Sequence, residues 1–172
     1  MGASMNENGT INGSQTSPRT AESAFREMIR VFGLLERVMQ PYFARFGISG
    51  AQWGVLRNLH RAEQEGVPAL RLTDLSERLL VRPPSVAGVV DRLARSGLVA
   101  RQDSATDLRA KLVSLTPEGR QVLEQVLAVH GKQIESILGV LESKEQAQLY
   151  DLLHRLVGHL EGLAVRSVAF AN

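Results

Sequence analysis

Residues 72–116 read LTDLSERLLVRPPSVAGVVDRLARSGLVARQDSATDLRAKLVSLT, and the spacing of their apolar and special residues decides the fold. Leu75, Leu79 and Leu80 are expected to face inward from a short helix capped by Thr73. Val81-Arg82-Pro83-Pro84 forms a turn, and Pro83 suits the first position of the next helix, where the missing N–H costs nothing. That second helix is expected from Pro83 to about Ser96. Val86, Val89, Val90 and Leu93 form the stripe that packs on the first helix. Ser85, Gly88, Arg92 and Arg95 recur at i, i+3, i+7 and i+10 and should face outward. Gly97 followed by Leu98 reads as a Schellman-type stop. Two strands follow, 98–102 and 109–115, around the turn-rich tip Asp103-Ser104-Ala105-Thr106-Asp107-Leu108.

Helix, turn, helix and a hairpin with a polar, charged tip is the layout of a winged helix-turn-helix, a module that lays one helix in the DNA major groove. Charge agrees modestly. Eight basic residues between Arg71 and Lys111 meet five acidic ones, so this segment holds +3 of a chain whose formal net charge is only +2.

The flanks are helical, and the class is mainly α. Residues 1–19 are rich in Gly, Ser, Asn and Thr and should form a disordered tail. From Thr20, an expected N-cap, the residues Phe25, Met28, Ile29, Phe32, Leu35, Met39, Tyr42, Phe43 and Phe46 recur at helical spacing, with Gly47 as the stop. Pro41 predicts a kink or break near 39–41. A small module cannot cover so long an apolar stripe, so a dimer interface is expected. Ser49 to Gln52 is a capping box opening a helix with Trp53, Val55, Leu56 and Leu59. The stretch 68–72 should add a third strand to the wing. Thr116-Pro117-Glu118 starts a helix running to about Leu141, and Ser143 to Gln146 is a second capping box opening the last helix. The expected division is a tail at 1–19, dimerisation helices at 20–48 and 117–165, and the winged helix-turn-helix at 49–116.

The chain has no cysteine, which removes disulfides, thiolate zinc sites and thiol sensing. No apolar run approaches the roughly 20 residues of a membrane span, and no signal-peptide core is visible, so a cytoplasmic protein is the default. Neither a P-loop, a dinucleotide glycine motif, a nucleophile elbow nor a metal-protease helix is present, which argues against an enzyme, and no cofactor is expected.

The stretches LTDLSERLLVRPPSVAGVVDRLARSGLVAR and DLRAKLVSLTPEGR resemble the helix-turn-helix and the wing of the MarR family of bacterial transcription regulators. The likeness covers about residues 21–162. Asp107-x-Arg109 is similar to the family's wing signature, and Leu115-Thr116-Pro117-Glu118-Gly119 to its next landmark. The resemblance implies six helices with a wing, a homodimer built by the first and last two helices, and a pseudo-palindromic operator on double-stranded DNA. It also implies repression relieved by a small, often phenolic or aromatic carboxylate effector. Leu108 stands where the family commonly has a second Arg, and Arg82 where it often has a Ser or Thr cap; the middle of the reading helix is bare at Gly88.

The expected DNA contacts follow. Arg109 at the wing tip suits the minor groove, held by Asp107; an ordinary surface ion pair is the alternative. Arg82, Pro83 and Ser85 lie where a reading helix enters the groove, with Gly88 allowing close approach. Arg92, Arg95, Arg101 and Lys111 are phosphate candidates. For an effector, Trp53, Arg57 and His60 share a helix face beside Tyr42, Phe43 and Phe46 of the first helix, a setting for a planar carboxylate or phenolate; alternatively Trp53 is core and the other two are solvated. His130, His154 and His159 read as scattered surface or interface histidines. The alternatives in function are a metal-responsive regulator of the same fold and a winged-helix protein-interaction adaptor.

Overall fold

The computed structural model describes residues 20–103 and 111–169, with side chains placed as far as Ala164. Among these residues the order is α1 (Ala21–Ala44), α2 (Gly50–Gln64), β1 (Leu70–Arg71), α3 (Leu72–Leu79), α4 (Pro83–Arg95), β2 (Val99–Asp103), β3 (Lys111–Leu115), α5 (Pro117–Leu138) and α6 (Ser143–Ala169). The fold is mainly helical: six helices and a small antiparallel sheet of order β1-β3-β2. Leu70 pairs with Val113, Val99 with Leu115, and Asp103 with Lys111. Leu70, Val99, Val113 and Leu115 are buried, which turns one face of the sheet onto the helices.

One core joins these parts. Leu56 and Leu59 of α2, Leu75 of α3, and Val86, Val90 and Leu93 of α4 meet Leu123 and Val126 of α5. The helix ends come from local hydrogen bonds that the sequence specifies. Ser49 and Gln52 form the expected capping box. Gly47 and Gly97 adopt positive φ, of 69° and 72°, and close Schellman turns, Ile48 N–H donating to Phe43 O and Leu98 N–H to Leu93 O. Thr116 has two tasks. Its hydroxyl accepts from Gly119 N–H to cap α5 and donates to Gly97 O, tying α5 to the end of α4 (2.9 and 2.7 Å). Only Gly fits at 119, because a Cβ there would run into the Leu98 carbonyl.

Several expectations change. α1 runs through Pro41 for another turn without a break, its end anchored by the buried Tyr42 and Phe43. Arg71, rather than Thr73, stands at the α3 N-cap, and its N–H donates to Asp74 Oδ2 at 3.1 Å. Leu80 does not face inward. It is the left-handed residue (φ 54°) that ends α3, with its N–H on Glu77 O and the next N–H on Ser76 O, and its side chain is 88% exposed. A bulky residue in that conformation costs roughly 1–2 kcal/mol. β2 starts one residue later than expected, at Val99, and β3 is described from Lys111 to Leu115. At the start of α6 the acceptor is Glu145, whose carboxylate takes the N–H of Glu142, so Ser143 is already the first helical residue. α5 stops at Leu138, and α6 continues past 165 to Ala169.

Candidate nucleic-acid interface and effector pocket

The sequence builds the outer side of α4 by leaving it polar while Val86, Val90 and Leu93 take the inner side. Arg82, Pro83, Ser85, Arg92 and Arg95 are all exposed. Gly88 is not bare. The guanidinium of Arg92 lies 3.8 Å from where a Gly88 Cβ would stand, because helical side chains lean towards the N-terminus. Arg95 Nε donates to Asp91 O on its own helix (3.4 Å).

The two wing-strand cations are already engaged. Arg101 meets Asp91 of α4 at 2.5 Å, joining β2 to the reading helix, and Lys111 pairs with Asp103 across the β2–β3 register. In the unbound chain Arg101 thus ties the wing to α4, while its side chain stays partly exposed. Asp107 and Arg109 lie outside the described residues.

The six expected effector residues divide. Tyr42, Phe43 and Trp53 belong to the buried core, and Phe46 packs against it. Phe43 and Trp53 rings lie 5.7 Å apart, and Tyr42 meets Phe43 edge-on at 5.0 Å. The histidine of this group is not the expected His60 but His130, which the sequence placed among scattered surface or interface histidines. His130 of α5 lies 5.1 Å from Trp53 between ring centres, and its Nδ1 is 3.3 Å from the Tyr42 hydroxyl. It is thus no scattered surface histidine. Burial, then the nearby charge of Arg57, push its pKa below the usual histidine value, so its neutral form is favoured. His60 turns instead to Gln64, at 3.1 Å. A cleft of about 590 Å³ opens beside Phe43, between α1 and the start of α2, lined by Phe32, Leu35, Glu36, Arg37, Met39 and Gln40 among others. Of the six expected residues, Phe43 alone lines it.

Three helices over a shared core, closed by a three-stranded wing, define a winged helix-turn-helix protein. Residues 46–110 match the model of the MarR family. The transcriptional repressor YetL of Bacillus subtilis is 29% identical over 136 residues, which cover 79% of this chain and 77% of that protein. Among solved structures, a mutant of MarR from E. coli complexed with operator DNA superposes with a TM-score of 0.70 at 24% identity, over 82% of this chain and 99% of the other. PcaV from Streptomyces coelicolor, in complex with its natural ligand, superposes with a TM-score of 0.62 at 26% identity, over 80% and 92%. Residues 46–110 thus carry the MarR-family pattern, and the chain as a whole is similar to transcriptional regulators of that kind.

Proposed function

We propose that the protein is a dimeric repressor that acts in the cytoplasm, reads a pseudo-palindromic operator with α4 and the wing, and leaves it when a small aromatic ligand binds. The observation that carries this reading is the outer side of α4. It presents Arg82, Ser85, Arg92 and Arg95 together, above a core that holds the helix rigid. On this reading, side chains in its first turns meet base edges, and those near its end meet phosphates.

The dimer is supported by what one chain leaves uncovered. Phe25, Ile29 and Phe32 form an exposed stripe on α1, and Leu152, Val157 and Leu160 are half exposed or more on α6, which barely touches the rest of its own chain. Contiguous apolar faces of this length belong against a partner. A second copy would set the two reading helices about one turn of DNA apart, near 34–36 Å. The cleft beside Phe43 lies between α1 and the reading module, so a ligand there that prefers another spacing shifts the population off DNA. Its apolar walls suit an aromatic ring, and its polar residues offer partners for substituents, Arg37 for a carboxylate and Glu36 for a phenolic hydroxyl. The wing-tip roles of Asp107 and Arg109 stay part of this proposal.

The test is selection of duplexes from a random library by the full protein, followed by titration of the winner at several salt concentrations. Affinity should fall linearly on a log–log plot, and Arg92→Ala should reduce the slope by about one. Failure to enrich any sequence, or binding indifferent to salt, would sink the reading.

A further inference from the structure

The two ends of α4 differ in what they offer outward. A helical turn of about 100° per residue places Pro84, Gly88 and Arg95 opposite the buried Val86, Val90 and Leu93. The far end carries charge, in Arg92 and Arg95, and the guanidinium of Arg92 leans over Gly88. At the near end the backbone adds no donor. Helix starts that grip phosphate do so through free N–H groups. Here Pro83 and Pro84, the only adjacent prolines in the chain, have no N–H, and Ser85 N–H turns back to Arg82 O at 3.0 Å. The middle of the first turn therefore presents the hydrocarbon ring of Pro84, exposed between the exposed Arg82 and Ser85.

The apolar group that a base edge displays in the major groove is the C5-methyl of thymine. Over a donor or acceptor, a proline ring would exclude water and give no hydrogen bond in return. Arg82, Arg92 and Arg95 supply the positive charge that draws a duplex to this side of the helix. We propose that Pro84 packs on the methyl of a thymine in each half of the operator and so selects thymine at that position. The inference rests on the reading of DNA by α4 proposed above, and adds the chemical group that its first turn selects. With Arg92 leaning over the next turn, the methyl contact is confined to the first.

The experiment takes the duplex that the full protein enriches and replaces its thymines one at a time by deoxyuridine. This removes the methyl and keeps every hydrogen-bonding group. At one thymine in each half the affinity should fall about fourfold, as expected for one buried methyl-sized group. The salt slope should not change, because no phosphate contact is lost. Pro84→Ser, which removes the ring, should make thymine and uracil equivalent there. Pro84→Val, which restores the N–H but keeps an apolar surface, should preserve most of the preference. A proline needed only to start the helix would lose the preference in both variants alike, which would overturn the proposal. An enriched duplex whose thymines all tolerate uracil would also overturn it, while leaving the reading of DNA by α4 standing. So would a preference unchanged in Pro84→Ser with parental circular dichroism. If no duplex is enriched, the DNA reading fails and this inference falls with it.

Discussion

In α4 the apolar residues Val86, Val90 and Leu93 are no more than 2% exposed, whereas in α1 Phe25, Ile29 and Phe32 are each more than half exposed. Both helices are amphipathic and both follow the same 3.6-residue rule. The difference lies in what each packs against. α4 has α2, α3 and the sheet within its own chain, and α1 is held mainly at its last turn, where Tyr42 and Phe43 enter the core and the Tyr42 hydroxyl bonds Val126 O at 3.3 Å. One region completes its core alone, and the other leaves an apolar face uncovered.

The largest break in that comparison comes from the closed core. Leu93 is fully buried where α4 meets its neighbours. Leu93→Ala should cost about 2–5 kcal/mol, from lost transfer energy and the cavity left behind. Urea denaturation measures this, and a loss below about 1 kcal/mol would mean that the core collapses around the gap. Ile29→Glu should do the opposite. It leaves the protomer's core untouched and places a charge on each side of the proposed interface, a cost of several kcal/mol for association. Sedimentation should show the parent as a dimer and the variant as a monomer with unchanged far-UV circular dichroism. A variant that stays dimeric at micromolar concentration would place the interface elsewhere.

The contrast also explains what was readable from the chain. Many features made by neighbours in sequence were legible, such as the Ser49 capping box, the Gly47 and Gly97 stops, and the cap at Thr116, although the caps expected at Thr73 and Ser143 lay one or two residues off. Each depends on hydrogen bonds spanning a few residues. The reading helix was legible because its stripe is short and clean. What depended on distant partners was not. His130 meets Tyr42 across 88 positions, so nothing near it in sequence marks it as part of the aromatic cluster. The helix-face argument put His60 beside Trp53, and in the fold His130 takes that place from another helix. The Arg101–Asp91 pair was hidden for the same reason, since the strand must return to α4 before the charges meet.

That pair gives a smaller test. Arg101 and Asp91 are partly exposed, so their bridge contributes about 0.2–1 kcal/mol. Asp91→Asn frees Arg101 beside α4, the helix proposed to read DNA. Binding to a selected duplex should tighten by up to about fivefold, with a salt slope steeper by about one phosphate contact. Weaker binding at an unchanged slope would show instead that the bridge sets the wing's angle.

The smallest effect sits at the most exposed apolar residue described in the closed region. Leu80 is apolar and exposed, and it is held left-handed by the turn between α3 and α4. Its side chain contributes little packing, so removing it exposes almost nothing. Leu80→Gly relieves the clash of Cβ with the following carbonyl, roughly 1–2 kcal/mol, against the extra chain entropy of glycine, about 0.5–1 kcal/mol. A net gain of a few tenths to about 1 kcal/mol is expected, seen as a higher urea midpoint at constant slope. Leu80→Ala separates the causes. It removes the exposed side chain but keeps Cβ, so it should stay near the parent; a gain equal to that of glycine would mean that exposure of the leucine, rather than its backbone conformation, was the cost.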